Sequence, residues 1–186
     1  MNYKGIVDKS NPKKFNSISK QADANDLLLA AALHGNFKDI KKAMAQGANV
    51  NCKNNNNDTP LNMVAKLSYY NLVKYLIEKG AEVNTENNDK ITPLHWGVEY
   101  NNVKIVQLLL ENDANIDARD SLYETPLHWA GWTGNYESAR LLLKYGANPY
   151  SKNNTGVTPL ELSIRQEHKK VERLFNKKKY KKFLIE

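Results

Sequence analysis

The sequence predicts an all-α solenoid, built of stacked helix-turn-helix units with projecting β-turn fingers. Three observations carry that expectation. Thr-Pro-Leu stands at Thr59, Thr92, Thr125 and Thr158, each 33 residues from the last, and a fixed period of this length marks a repeat architecture. A second landmark keeps the same step, Gly47-Ala48, Gly80-Ala81, Asp113-Ala114 and Gly146-Ala147, so no unit has gained or lost a residue between the two. Within the unit that opens at Thr92, Leu94 and Val98 are spaced by four, and Ile105, Val106, Leu109 and Leu110 recur at three and four. That periodicity writes two short amphipathic helices.

Each unit opens where Thr precedes Pro. The hydroxyl can accept a bond from an orphan N–H, and Pro at the first helical position gives up a donor the helix does not need. Thr158-Pro159-Leu160-Glu161 adds a capping box. Small residues on this first helix, Ala31-Ala32, Val64-Ala65, Gly97-Val98 and Ala130-Gly131, allow neighbouring pairs to approach closely. Gly-Ala after the second helix supplies a left-handed stop, where Asp113 in place of Gly carries some strain. The polar stretch that follows, such as Gly80 to Ile91, forms the finger. Helices this short do not persist alone; stacking gives them one continuous core.

Counting back one period from Thr59 reaches Asp26, from which Leu28, Ala31-Ala32, Gly35 and Gly47-Ala48 fall on the expected positions. At the other end Glu167 stands for the mid-unit Gly and Lys179-Tyr180 for Gly-Ala, which reads as a terminal unit with Val171, Leu174 and Phe175 facing inward. The expected units are therefore 21–53, 54–86, 87–119, 120–152 and 153–176. Residues 1–20 read as a basic, mobile tail, with an added capping helix as the alternative, and 177–186 as a basic extension of the capping helix.

The landmarks in order resemble the ankyrin repeat. One unit reads Thr92-Pro93-Leu94-His95, Asn101, Ile105-Val106 and Leu108-Leu109-Leu110. The next reads Thr125-Pro126-Leu127-His128-Trp129-Ala130, Gly134, Leu141-Leu142-Leu143 and Gly146-Ala147-Asn148. The unit opening at Thr59 has Asn62 where these have His. The resemblance implies a non-catalytic protein-binding solenoid. It also implies that His95 and His128 are structural groups tying the helix start to the fingers, not metal ligands, so that His128→Ala would cost on the order of 1 kcal/mol through a lost hydrogen bond. Isolated proteins of this kind resemble scaffolds, inhibitors and effectors of intracellular microbes.

Charge and chemistry narrow the alternatives. The 186 residues carry a net +7. Residues 1–20 hold +4 and residues 165–186 hold +6, leaving −3 for the stack between, so the repeat surface is no phosphate-tracking stripe. The alternative to groove binding is contact of the basic tail, Lys177 to Ile185, with nucleic acid or anionic membrane; neither is the expected partner. No Gly-x-Ser-x-Gly, P-loop, His-x-x-x-His or Cys-x-x-Cys pattern is present, so no catalytic site, cofactor or metal is expected. Cys52, the one cysteine, occupies a position where other units carry Thr85, Ala118 and Ser151 and reads as structural. The longest apolar run, Leu27 to Leu33, is far short of a membrane span, and a cytoplasmic monomer is expected.

In the resembling family, partners meet the finger residues before Thr-Pro and the residues after the Ala-Ala pair on the first helix. Carried onto this chain, that rule selects Lys66, Leu67, Ile91, Glu99, Tyr100, Leu122, Glu124, Trp132 and Thr133. Leu33, Leu67, Tyr100 and Trp132 would form an apolar stripe from unit to unit, open to an unidentified partner protein on the concave face. Trp96 and Trp129, directly after the His, are expected in the core between units. Asn51 and Asn84, which follow Gly-Ala-x-Val, stand in a context that the family presents for hydroxylation.

Overall fold

Every Thr-Pro opens a helix in the computed structural model, which describes residues 12–175. The described residues form ten helices and no strand. They are α1 (Pro12–Leu33), α2 (Phe37–Ala45), α3 (Pro60–Lys66), α4 (Tyr70–Glu78), α5 (Pro93–Glu99), α6 (Val103–Leu110), α7 (Pro126–Thr133), α8 (Tyr136–Lys144), α9 (Pro159–Arg165) and α10 (Lys169–Phe175). Consecutive helices pair as hairpins, α1 with α2 through α9 with α10. The first helices stack in one row, α1 on α3, α5, α7 and α9 in turn, and α4, α6, α8 and α10 stack in a second. Leu28, Ile40, Leu61, Leu76, Leu94, Ile105, Leu109, Leu127 and Leu142 lie fully buried along the stack. Each such side chain contributes roughly 1.5–3 kcal/mol of burial, and all belong to one shared core cluster.

Two boundaries need comment. Helix α1 starts at Pro12, so residues 12–20, expected as a mobile tail, are instead the first turns of a 22-residue helix. No Gly or Pro interrupts the chain between Lys13 and Asp26, so the helix runs continuously into the first expected unit, where Ala24 and Leu28, four apart, are both buried. Residues 1–11 and the basic segment 177–186 lie outside the described residues.

A buried hydrogen-bond unit at each helix start fixes the next finger. The Thr92 N–H donates to His95 Nδ1 at 3.2 Å, and His95 Nε2 lies 3.2 Å from the Glu124 carbonyl, 29 residues on. Thr125 N–H, His128 and the Val157 carbonyl repeat the arrangement at 3.1 Å on both sides. An Nδ1 that accepts leaves the proton on Nε2, so both rings are neutral donors to a carbonyl. Burial drives His95 down from 6.5 to about 4, and His128 in the same direction. Asn62 performs both halves with an amide: its Oδ1 accepts from Thr59 N–H at 3.2 Å, and its Nδ2 donates to the Ile91 carbonyl at 3.2 Å. Glu161 keeps only the accepting half, taking the Thr158 N–H at 2.7 Å.

The left-handed stops also keep the period. Gly47, Gly80 and Gly146 have positive φ, and Asp113 is forced to φ 61° at the matching position. Where α7 meets α9, a Cβ on Gly131 would fall against the Pro159 carbonyl. Small residues on the first-helix row are thus a steric requirement at this contact.

Candidate functional site

The finger between Ala118 and Thr125 is shaped by one carboxylate. Asp120 Oδ1 accepts the N–H groups of Leu122 and Glu124, both at 2.8 Å. Asn54, Asn87 and Asn153 hold the corresponding turns with the same oxygen geometry. The amides go further: Asn87 Nδ2 reaches back to Asp58 at 3.0 Å and Asn153 Nδ2 to Glu124 at 3.0 Å. Asp120 has no donor for this, and the residue it would reach is Ile91. Its second oxygen instead accepts the indole N–H of Trp129 at 2.9 Å.

That bond ties the Trp129 indole to the finger. Trp96 and Trp129, expected in the core between units, do pack against the core but are only half-buried, and their rings meet edge to face across α5 and α7 with centroids 5.6 Å apart. Trp129 also leans on the His95 ring at 5.2 Å. Tyr100 lies beside Trp96 at 6.5 Å, and the Lys66 ammonium sits 4.3 Å above the Trp96 ring. The first-helix row thus carries an aromatic run across α5 and α7, edged by a cation from the last residue of α3.

Between this run and the finger lies a groove of about 410 Å³, lined by Glu99, Asp120, Leu122, Glu124, Trp129, Trp132 and Thr133. Five of the residues selected from sequence meet here: Glu99, Leu122, Glu124, Trp132 and Thr133. Trp132 is 56% exposed and Leu122 52% exposed, so an indole and an isobutyl group face solvent beside one cavity. Lys66 and Tyr100 do not line it but contact Trp96, which meets the lining residue Trp129. Leu67, exposed after the end of α3, and Ile91, half-buried in the preceding finger, do not line it. Leu33, Leu67, Tyr100 and Trp132 are all exposed. Sequence reasoning passed over Asp120, Trp129 as a groove residue, and Tyr123, which is exposed at the fingertip with φ 61° and has Arg119 over its ring.

The groove's electrostatics are acidic. Burial pushes the Glu99 carboxyl above its ordinary range against the opposing field of Lys66, and Glu99 Oε2 is buried with no hydrogen-bond partner. Burial likewise raises Glu124, offset in part by the bond from Asn153 and reinforced by the charge of Asp120. The second buried side-chain polar atom without a partner among the described residues is Trp96 Nε1, also on α5.

Elsewhere, candidate groups are spent on structure. Asn51 Oδ1 accepts the Glu82 N–H at 2.9 Å, and Asn84 spans to the next finger through the Asp113 carbonyl and the Asn115 N–H, at 2.9 and 2.7 Å. Cys52 is buried, and that burial pushes its thiol up to about 11, which suppresses the reactive thiolate at neutral pH. No helix among the described residues is long and apolar enough to cross a membrane.

An all-helical stack of 33-residue units with an open aromatic groove between fingers and first helices defines a repeat solenoid. A family model described as ankyrin repeats (3 copies) matches residues 27–120 and 118–183. The chain belongs to the ankyrin-repeat family, whose members are protein–protein interaction modules and typically non-catalytic. No curated protein matches it closely enough to count as a relative.

Proposed function

We propose that this chain is a non-catalytic binding module that meets a partner protein on the concave face of its second to fourth units. Lys66, Leu67, Ile91, Glu99, Tyr100, Leu122, Glu124, Trp132 and Thr133 are its contacts. The observation that supports this most directly is Trp132, more than half exposed beside Leu122 at the mouth of the groove. Large apolar side chains clustered at a cavity and rimmed by charge are the anatomy of an interface hot spot. Tyr100 and Tyr123, next in sequence to Glu99 and Leu122 of the lining, are likewise exposed. Scaffold, inhibitor and microbial effector are all uses of such a face, and the partner's identity chooses among them.

The test is affinity capture from cell lysate with the wild type and with two variants, each checked for folding by circular dichroism. Trp132→Ala together with Leu122→Ser should abolish capture of the specific partner. Lys74→Ala, on the exposed side of α4, should leave it intact. Specific capture that survives the groove variant would place the binding surface elsewhere.

A further inference from the structure

Resting on that binding role, we propose that the groove seats a lysine or arginine side chain from a basic segment of the partner, packed against Trp129 and Trp132 with its charge among Glu99, Asp120 and Glu124. Four observations lead there. Three of the seven lining residues are carboxylates, and neither of the two ion pairs among the described residues, Arg140–Glu137 and Lys169–Glu172, engages them. Their hydrogen bonds come from neutral donors: Asp120 from two backbone N–H groups and an indole, Glu124 from the Asn153 amide. Glu99 keeps a buried oxygen with no hydrogen-bond partner. The three carboxylates are thus partly or wholly buried and form no ion pair; Lys66 acts on Glu99 through its field alone, at a site with room for a second cation.

The aromatic wall suits the same guest. Tryptophan faces attract cations most strongly of the aromatic side chains. The wall already shows this, since Lys66 places its ammonium 4.3 Å over Trp96, next to Trp129 in the same run. Trp129 is held for the purpose by its bond to Asp120, which is itself fixed by two backbone N–H groups; a wall that does not reorganise loses less on binding. A cation between Glu99 and Glu124 would also offset electrostatically the burial that raises both carboxyls. A peptide segment fits better than a lone small cation because the cavity, about 410 Å³, is lined by exposed Leu122 and Trp132, with exposed Tyr123 and Tyr100 next in sequence to Leu122 and Glu99, apolar contacts for the residues flanking the charged one.

The test titrates the full-length protein with three short capped peptides that differ only at the centre, which is lysine, arginine or norleucine. Binding is read by calorimetry and by tryptophan fluorescence. The lysine or arginine peptide, or both, should bind about tenfold or more tightly than the norleucine peptide, and the stronger of the two identifies the head group. Glu99→Gln combined with Glu124→Gln, near-isosteric changes that spare the fold, should erase the preference; Glu137→Gln on α8 should not. Equal binding of the norleucine peptide would overturn the cationic guest while leaving the groove a binding surface. A preference that survives the double variant, or that falls equally with Glu137→Gln, would reduce it to diffuse charge, and binding of none of the peptides would also overturn it. If replacing Lys177, Lys178, Lys179, Lys181 and Lys182 with Gln altered the tryptophan signal without peptide, the chain's own basic segment would be the occupant and the partner assignment would fall.

Discussion

Replacing His95 by Ala and by Asn separates its hydrogen bonds from its shape. The ring is fully buried, takes the Thr92 N–H on one nitrogen and faces the Glu124 carbonyl with the other. Alanine would leave a buried donor and a buried acceptor unpaired, each costing about 1–3 kcal/mol, and would open a void beside Trp129. The total comes to roughly 3–5 kcal/mol, far above the order of 1 kcal/mol that one lost bond would give and a large part of a typical domain's stability. Asparagine should cost no more than about 1–2 kcal/mol, because Asn62 already makes both bonds at the equivalent position. Urea melts followed by circular dichroism at pH 7 measure the difference. Acid adds a second readout. His95 has its folded value depressed from 6.5 to about 4, so the stability it confers is fully present above pH 6.5 and is lost as pH falls toward 4. At pH 5 that share amounts to about 2 kcal/mol. His95→Asn should lose correspondingly less than wild type between pH 7 and pH 5. His128 shifts in the same direction, and Glu99 and Glu124, raised in the fold, gain stability as pH falls; all three are present in both proteins and cancel. Equal acid slopes, or an Asn variant as damaged as the Ala variant, would refute the neutral-donor account of this histidine.

Trp132→Ala should change stability by less than about 1 kcal/mol, as at a surface site, while weakening a groove-bound partner by roughly 2 kcal/mol or more; melts and titrations on one preparation check both. Trp129→Ala should lower stability by about 2–3 kcal/mol through lost packing on His95 and Trp96 and the stranded Asp120 oxygen, and should weaken the same partner, a coupling that a pure core residue would not show. Asp113→Gly should stabilise by about 0.5–1 kcal/mol by removing a side chain from a left-handed position, read as a shift in the urea midpoint at constant slope. Gly131→Ala should destabilise by about 1–3 kcal/mol as its methyl group pushes α9 from α7, and an unchanged melt would contradict the close approach at Pro159.

The stack was legible because its determinants are local and periodic. Thr-Pro sets each helix start within a few residues, Gly-Ala sets each stop, and the 33-residue step between them leaves little freedom. The start of α1 was not legible by that route, since no Thr-Pro announces it, yet the helix reaches back to Pro12. The exposed members of the site, Leu122 and Trp132, were legible from register. Trp96 and Trp129 were not, because a tryptophan after the structural histidine is apolar, helical and adjacent to buried neighbours, and pattern alone sends it inward.

A signal for the groove was nonetheless present in the alignment of the units with one another. At one finger position they carry Asn54, Asn87, Asp120 and Asn153. Asn87 and Asn153 donate back to Asp58 and Glu124, whereas Asp120 has lost the donor and Ile91, one period from both of those acceptors, has lost the acceptor. The two departures are complementary, so the finger keeps its turn but gives up one stitch to its neighbour. The oxygen released by that exchange is the one that holds the Trp129 indole. The same local loss thus places an aromatic wall and a buried carboxylate on the proposed binding face, and restoring the stitch with Ile91→Asp and Asp120→Asn should tighten the fingers while releasing Trp129 from its orientation. A partner bound as well by that double variant as by wild type would show that the oriented indole is not what the groove offers.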